Sequence, residues 1–94
     1  MFPIEIITNV WLSNFDSLKK NTTFLKEKNI QLIINCSIDL PFLKHMKDNS
    51  KLLRVKIDDN FNTDIKKLMK VNNHIYSNYL NKDLGVLFYC YTGQ

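Results

Sequence analysis

Two short, unbroken apolar runs constrain this chain most: Gln31-Leu32-Ile33-Ile34-Asn35-Cys36 and Val86-Leu87-Phe88-Tyr89-Cys90. Neither alternates apolar with polar residues, so neither can turn one face to water. Each reads as a strand covered on both sides. Between them, a run over 52–57 reads as a third strand, and residues 64–80 place Ile65, Leu68, Met69, Ile75, Tyr76, Tyr79 and Leu80 close to one helical face, with Asn62 or Thr63 as cap. Pro41 can open a short helical turn carrying Phe42, Leu43 and Met46, which Asp48-Asn49-Ser50 would end. Strand, helix, strand, helix, strand requires crossover connections, and therefore parallel strands.

Ahead of this unit, residues 4–8 and 10–13 are β-prone and meet at Asn9, which predicts a hairpin with Trp11 and Leu12 on opposite sides. Phe15, Leu18, Thr22 and Leu25 recur at helical spacing, so one or two short helices fit, with Asn21 capping a second turn and Asn29 closing it. The expected fold class is α/β: a single domain over 1–94 with a central mixed, mostly parallel sheet of about five strands flanked by helices.

The 94 residues, 45% hydrophobic, suffice for one small core and argue against disorder. The net charge of +4 is spread along the chain, without the basic stripe of a nucleic-acid footprint, and is at most a bias toward anionic ligands. Neither a membrane-spanning stretch nor a signal-peptide pattern is present, so an intracellular, cytoplasmic protein is expected. Cys36 and Cys90 are far apart in sequence and are read as thiols, Cys36 as a core residue. His45 and His74 lack metal-ligand spacing, and no metal or cofactor is expected.

The carboxyl ends of parallel strands share one edge, where ligands bind in open α/β sheets. Here those ends carry Cys36-Ser37-Ile38-Asp39, Asp58-Asp59-Asn60 and Cys90-Tyr91-Thr92-Gly93. A thiol and a carboxylate on one rim form a nucleophile and general-acid pair, and Gly93 suits an anion-cradling turn. The bland readings stand beside this one: a strand-end cysteine is commonly plain core, Asp39 and Asp58 serve turns, and Asp64 is a favourable charge in a helix's first turn.

Residues 86–93, with Cys90 and Gly93 in place, resemble the phosphate-loop opening of dual-specificity and tyrosine phosphatases, whose signature is HCxxGxxR. Residues 55–60 followed by Asp64-Ile65 resemble the segment in which that family's general acid precedes an asparagine, the place of Asp59, with Asp58 as its rival. Residues 6–14 and 25–37 resemble the family's opening strands and the helix leading into its Ile-Ile-Asn-Cys strand. The resemblance implies a phosphotyrosine-phosphatase-like fold and metal-free hydrolysis of phosphoprotein esters through a phosphocysteine on Cys90. Tyr91, Thr92, Gly93 and Gln94 would form the phosphate-binding loop. Phosphoprotein would be the substrate, with no membrane or nucleic-acid partner.

Three departures from the family qualify this reading. Tyr89 replaces the histidine before the cysteine, which weakens thiolate stabilisation. The family's arginine would fall at position 96, past Gln94. Loss of such a preorganised donor costs roughly 2.7–4 kcal/mol, so little activity is expected of these 94 residues. The family's helices after the loop are also absent, which leads to an expectation of exposed sheet, marginal stability and self-association. A non-catalytic phosphatase-like binding module and a truncated gene product are the alternatives.

Overall fold

The computed structural model describes residues 2–56, 65 and 73–91. Five strands, β1 (Ile4–Ile7), β2 (Val10–Asn14), β3 (Ile30–Asn35), β4 (Lys51–Arg54) and β5 (Gly85–Cys90), form one sheet in the order β1-β2-β5-β3-β4. The β1–β2 pair is antiparallel, and β2–β5, β5–β3 and β3–β4 are parallel. Among the described residues, the helices with defined bounds are α1 (Phe15–Lys20), α2 (Phe24–Glu27), α3 (Lys44–Asn49) and α4 (Asn73–Asn78), the last followed by a 3-10 turn at Leu80–Lys82. The α/β class and the mixed, mostly parallel five-stranded sheet are therefore as expected from the sequence.

The hairpin turns on Asn9, which adopts φ 64° and whose N–H donates to the Glu5 carboxylate at 2.9 Å. Asparagine tolerates this left-handed geometry better than most residues. The same property places Asn29, at φ 51°, just past α2, where it was expected to close the helix. Asn14 caps α1 by accepting the Ser17 N–H. Asn21 differs from expectation: it ends α1 through its N–H to the Ser17 carbonyl, and Thr23 is the residue preceding α2. The chain thus breaks between two helices, and Phe24 takes the buried place that uninterrupted spacing gave to Thr22.

Alternation along the central strands builds two cores. Val10, Leu12, Leu32, Ile34, Cys36, Val86 and Phe88 line one face of the sheet, together with Ile65 and Ile75. Ile33, Leu87 and Tyr89 line the other, where Leu18, Phe24, Leu25, Leu40 and Met46 pack on them. Trp11 packs on this second core and meets Phe24 edge to face at 5.1 Å, opposite Leu12 as expected. Ile30 also joins the second core, because a register irregularity between Ile30 and Leu32 adds a residue to β3.

The crossovers from β2 to β3 and from β3 to β4 run the same way across the sheet and carry α1, α2 and α3. The return from β4 to β5 runs the opposite way. A fixed right-handed crossover then puts its helical residues on the opposite face, and Ile65 and Ile75 belong to the first core accordingly. The expected exposed sheet is corrected here: Leu32, Ile33, Ile34, Val86, Leu87, Phe88 and Tyr89 are all buried by the chain's own residues.

Two boundaries move as well. α3 starts at Lys44 rather than Pro41, because the Leu40 and Pro41 carbonyls accept bonds from Asn35, Arg54 and Tyr89 side chains. β4 stops at Arg54, although the Val55 N–H adds one more bond to the Asn35 carbonyl. Ile65 is helical and α4 ends at Asn78. The caps Asn62 and Thr63, Asp64, Leu68, Met69, and the side chains of His74 and Tyr76 lie outside the described residues.

Candidate functional site

β2, β3, β4 and β5 all end at one edge of the sheet, and their last residues build a rim of Asn14, Cys90-Tyr91, Cys36 to Asp39, and Arg54. β5 is the strand between β2 and β3, so Cys90 sits near the centre of this rim. Every other residue of β5 is buried, while Cys90 is partly exposed against the first core. Its register partner on β2 is Asn14. On the other side the Cys36 N–H donates to the Tyr89 carbonyl at 2.9 Å, which brings Cys36 level with Cys90.

The two cysteines carry thiols, not a disulfide. Burial pushes the Cys36 thiol up to about 12, with a further contribution from the negative charge of a Cys90 thiolate and an opposing one from the Tyr89 backbone hydrogen bond. Cys36 is 4% exposed and stays protonated at neutral pH, in keeping with its reading as a core thiol.

Tyr89 points to the other face of the sheet and is completely buried. Its hydroxyl donates to the Pro41 carbonyl at 2.9 Å and accepts from the Asn35 amide at 2.9 Å. The same Asn35 nitrogen reaches the Leu40 carbonyl at 2.8 Å, while Asn35 Oδ1 accepts from both the N–H and the hydroxyl of Ser37. The Ser37 hydroxyl accepts the Leu40 N–H, and Arg54 donates to the Ser37 and Leu40 carbonyls at 2.9 and 2.8 Å. Phe42 closes the cluster, with the Arg54 guanidinium over its ring at 5.3 Å. Together these bonds fix the segment that follows β3, so the rim beside Cys90 is built on a satisfied buried network. Burial also pushes the Tyr89 phenol up to about 12, partly offset by the Arg54 charge.

That segment presents Ile38, 68% exposed, and Asp39, whose carboxylate accepts from the Tyr91 hydroxyl at 3.3 Å. Tyr91, 58% exposed, has its phenol raised by desolvation and by the Asp39 charge. Of the residues expected at the site, the structure brings Cys90, Tyr91 and Asp39 to one rim. Asp58, Asp59, Thr92, Gly93 and Gln94 lie outside the described residues. Among the described residues, no three His, Cys, Asp or Glu gather as metal ligands, and no helix is long and apolar enough to cross a membrane.

The residues that sequence reasoning missed are Asn35, Ser37 and Arg54. Two signals mark them: an amide, Asn35, set between apolar Ile34 and Cys36, and the chain's single arginine. Arg54 does not substitute for the signature's arginine, because both of its bonds hold the segment after β3. No protein-family model and no curated protein matches this chain.

Proposed function

We propose that this chain is a protein-phosphatase domain of the cysteine-dependent, dual-specificity type, acting on phosphoprotein monoesters through a phosphocysteine. The observation that carries this reading is the position of Cys90, the one partly exposed residue of β5, at the carboxyl end of a strand with parallel neighbours on both sides. In the reaction, Cys90 Sγ forms a bond to phosphorus as the bond to the tyrosine or serine oxygen breaks. Asp59, with Asp58 as its rival, gives that oxygen a proton and later takes one from the water that releases phosphate. Backbone N–H groups of Tyr91 to Gln94 cradle the phosphoryl oxygens.

A second reading, a non-catalytic module that binds phosphoprotein, is favoured by Tyr89. The residue before the thiol is engaged on the opposite face of the sheet and offers the thiol no imidazole.

The signature's arginine would fall at position 96, outside these 94 residues, so ligand protection is a better primary readout than turnover. Tungstate, a phosphate mimic, is expected to slow alkylation of Cys90 by iodoacetamide. Aryl phosphate hydrolysis abolished by Cys90→Ser then selects the enzyme, and tight phosphopeptide binding that persists in Cys90→Ser, without hydrolysis, favours the binding module. Cys90 alkylation indifferent to tungstate, with no hydrolysis, sinks both.

A further inference from the structure

Ser37 to Leu40 form a turn that is tied down at both ends. Arg54 donates to the Ser37 and Leu40 carbonyls, the Leu40 N–H donates to the Ser37 hydroxyl, and the Ser37 N–H donates to Asn35 Oδ1. The side chains of its two middle residues, Ile38 and Asp39, take no part in these bonds. An aspartate in a turn ordinarily accepts from the backbone nearby. Here the Ser37 hydroxyl fills that role, and the Asp39 carboxylate accepts instead from the hydroxyl of Tyr91, 52 residues on, at 3.3 Å. Tyr91 follows Cys90 directly, so the carboxylate stands one tyrosine side chain from the residue next to the thiol. Ile38 and Tyr91 are both exposed large apolar side chains. A fixed turn thus holds an aliphatic side chain, an aromatic ring and a negative charge together beside Cys90.

That combination is a poor match for phosphate alone, which a carboxylate repels. Among the described residues no lysine or arginine pairs with Asp39, and the Arg54 guanidinium is committed to the turn's carbonyls and the Phe42 ring. What the three side chains match is a long cationic side chain, whose methylenes lie along apolar surface while its head meets a carboxylate. Arginine suits best, because its planar guanidinium also stacks on an aromatic ring.

We propose that Ile38, Asp39 and Tyr91 select substrate at the Cys90 site, taking phosphopeptides with an arginine or lysine close to the phosphorylated residue. The cation pairs with Asp39, and its stem lies on Ile38 and the Tyr91 ring. The proposal rests on the phosphoprotein reading above and adds to it which sequences around the phosphate are bound. An extended peptide advances about 3.3–3.6 Å per residue, so the cation falls within about three positions of the phosphorylated side chain. The net charge of +4 by itself favours acidic peptides, and only contact with Asp39 reverses that.

The test measures protection of Cys90 from iodoacetamide by heptapeptides centred on phosphotyrosine or phosphoserine, with tungstate alongside. Arginine, alanine or glutamate fills the two positions on either side of the centre. Arginine peptides are expected to protect at about two- to fivefold lower concentration than alanine peptides, the effect of an exposed ion pair, and glutamate peptides should protect least. Asp39→Asn keeps an acceptor for the Tyr91 hydroxyl and should erase the difference, while Asp39→Lys should reverse it in favour of glutamate. A residue that only shaped the turn would give no such reversal. Equal protection, or none, by the arginine and alanine peptides in wild type overturns the proposal, as does a preference for arginine that survives in Asp39→Asn. If tungstate still protects, the phosphate-site reading stands without the proposal. If neither tungstate nor any peptide protects, both fall.

Discussion

At the residue scale, Tyr89 and Cys36 show how burial assigns different work to neighbours on the sheet. Tyr89 satisfies a carbonyl and an amide in the dry second core. Tyr89→Phe would leave the Pro41 carbonyl without its donor and Asn35 one acceptor short, so a loss of roughly 1–3 kcal/mol in a denaturant titration is expected. Exchange of the Leu40 amide with deuterium should quicken with it, since the segment after β3 loses one of its anchors. The raised acidities have a second consequence. Cys36 rises from 9.0 to about 12 and Tyr89 from 10.0 to about 12, so both keep their protons in the folded chain where the unfolded chain releases them. Their contribution to stability is complete below about pH 9 and is lost as pH rises toward 12, by at most about 1.4 kcal/mol per pH unit for each group. Denaturation midpoints followed from pH 8 to 11 should fall in wild type and fall less steeply in Cys36→Ala.

At the scale of elements, two positions decide where β5 begins and how β2 hands over to α1. A Cβ on Gly85 would come within 2.6 Å of Ile30 Cδ1 and 2.9 Å of the Lys28 carbonyl oxygen. The carbonyl is backbone and cannot swing aside, so Gly85→Ala should destabilise by about 1–3 kcal/mol and lower the thermal midpoint. Asn14→Ala removes the side-chain acceptor of the Ser17 N–H. About 0.5–2 kcal/mol should be lost, because a six-residue helix has few other bonds to hold its first turn. Both substitutions report on the fold and leave open which chemistry the rim performs.

At the scale of the whole molecule, β3 and β5 are the centre of the structure, covered on one side by α1 to α3 and on the other by Ile65 and Ile75. Exposed large apolar side chains are left at the hairpin, the β4 edge and the rim: Ile7, Leu53, Val55, Ile38 and Tyr91. With the central strands already buried, one cooperative unfolding transition is expected, with a midpoint that does not shift as protein concentration is raised in calorimetry. A shift would show that copies cover one another through those edges.

Much of this architecture was legible in the chain itself. The apolar runs ending in Cys36 and Cys90 identified interior strands, their separation by helical patterns required parallel pairing, and parallel pairing required a shared carboxyl edge. Those steps rest on hydrogen-bonding geometry and periodicity, which are local and can be read from sequence. What only the tertiary structure decided is which side chains meet across that edge. Cys36 stands level with Cys90 because of strand register, and Asn35, Ser37, Arg54 and Tyr89 share bonds because three strands bring distant residues together. Register and the pairing of buried polar groups depend on the packing of the whole sheet, a property that no single segment carries.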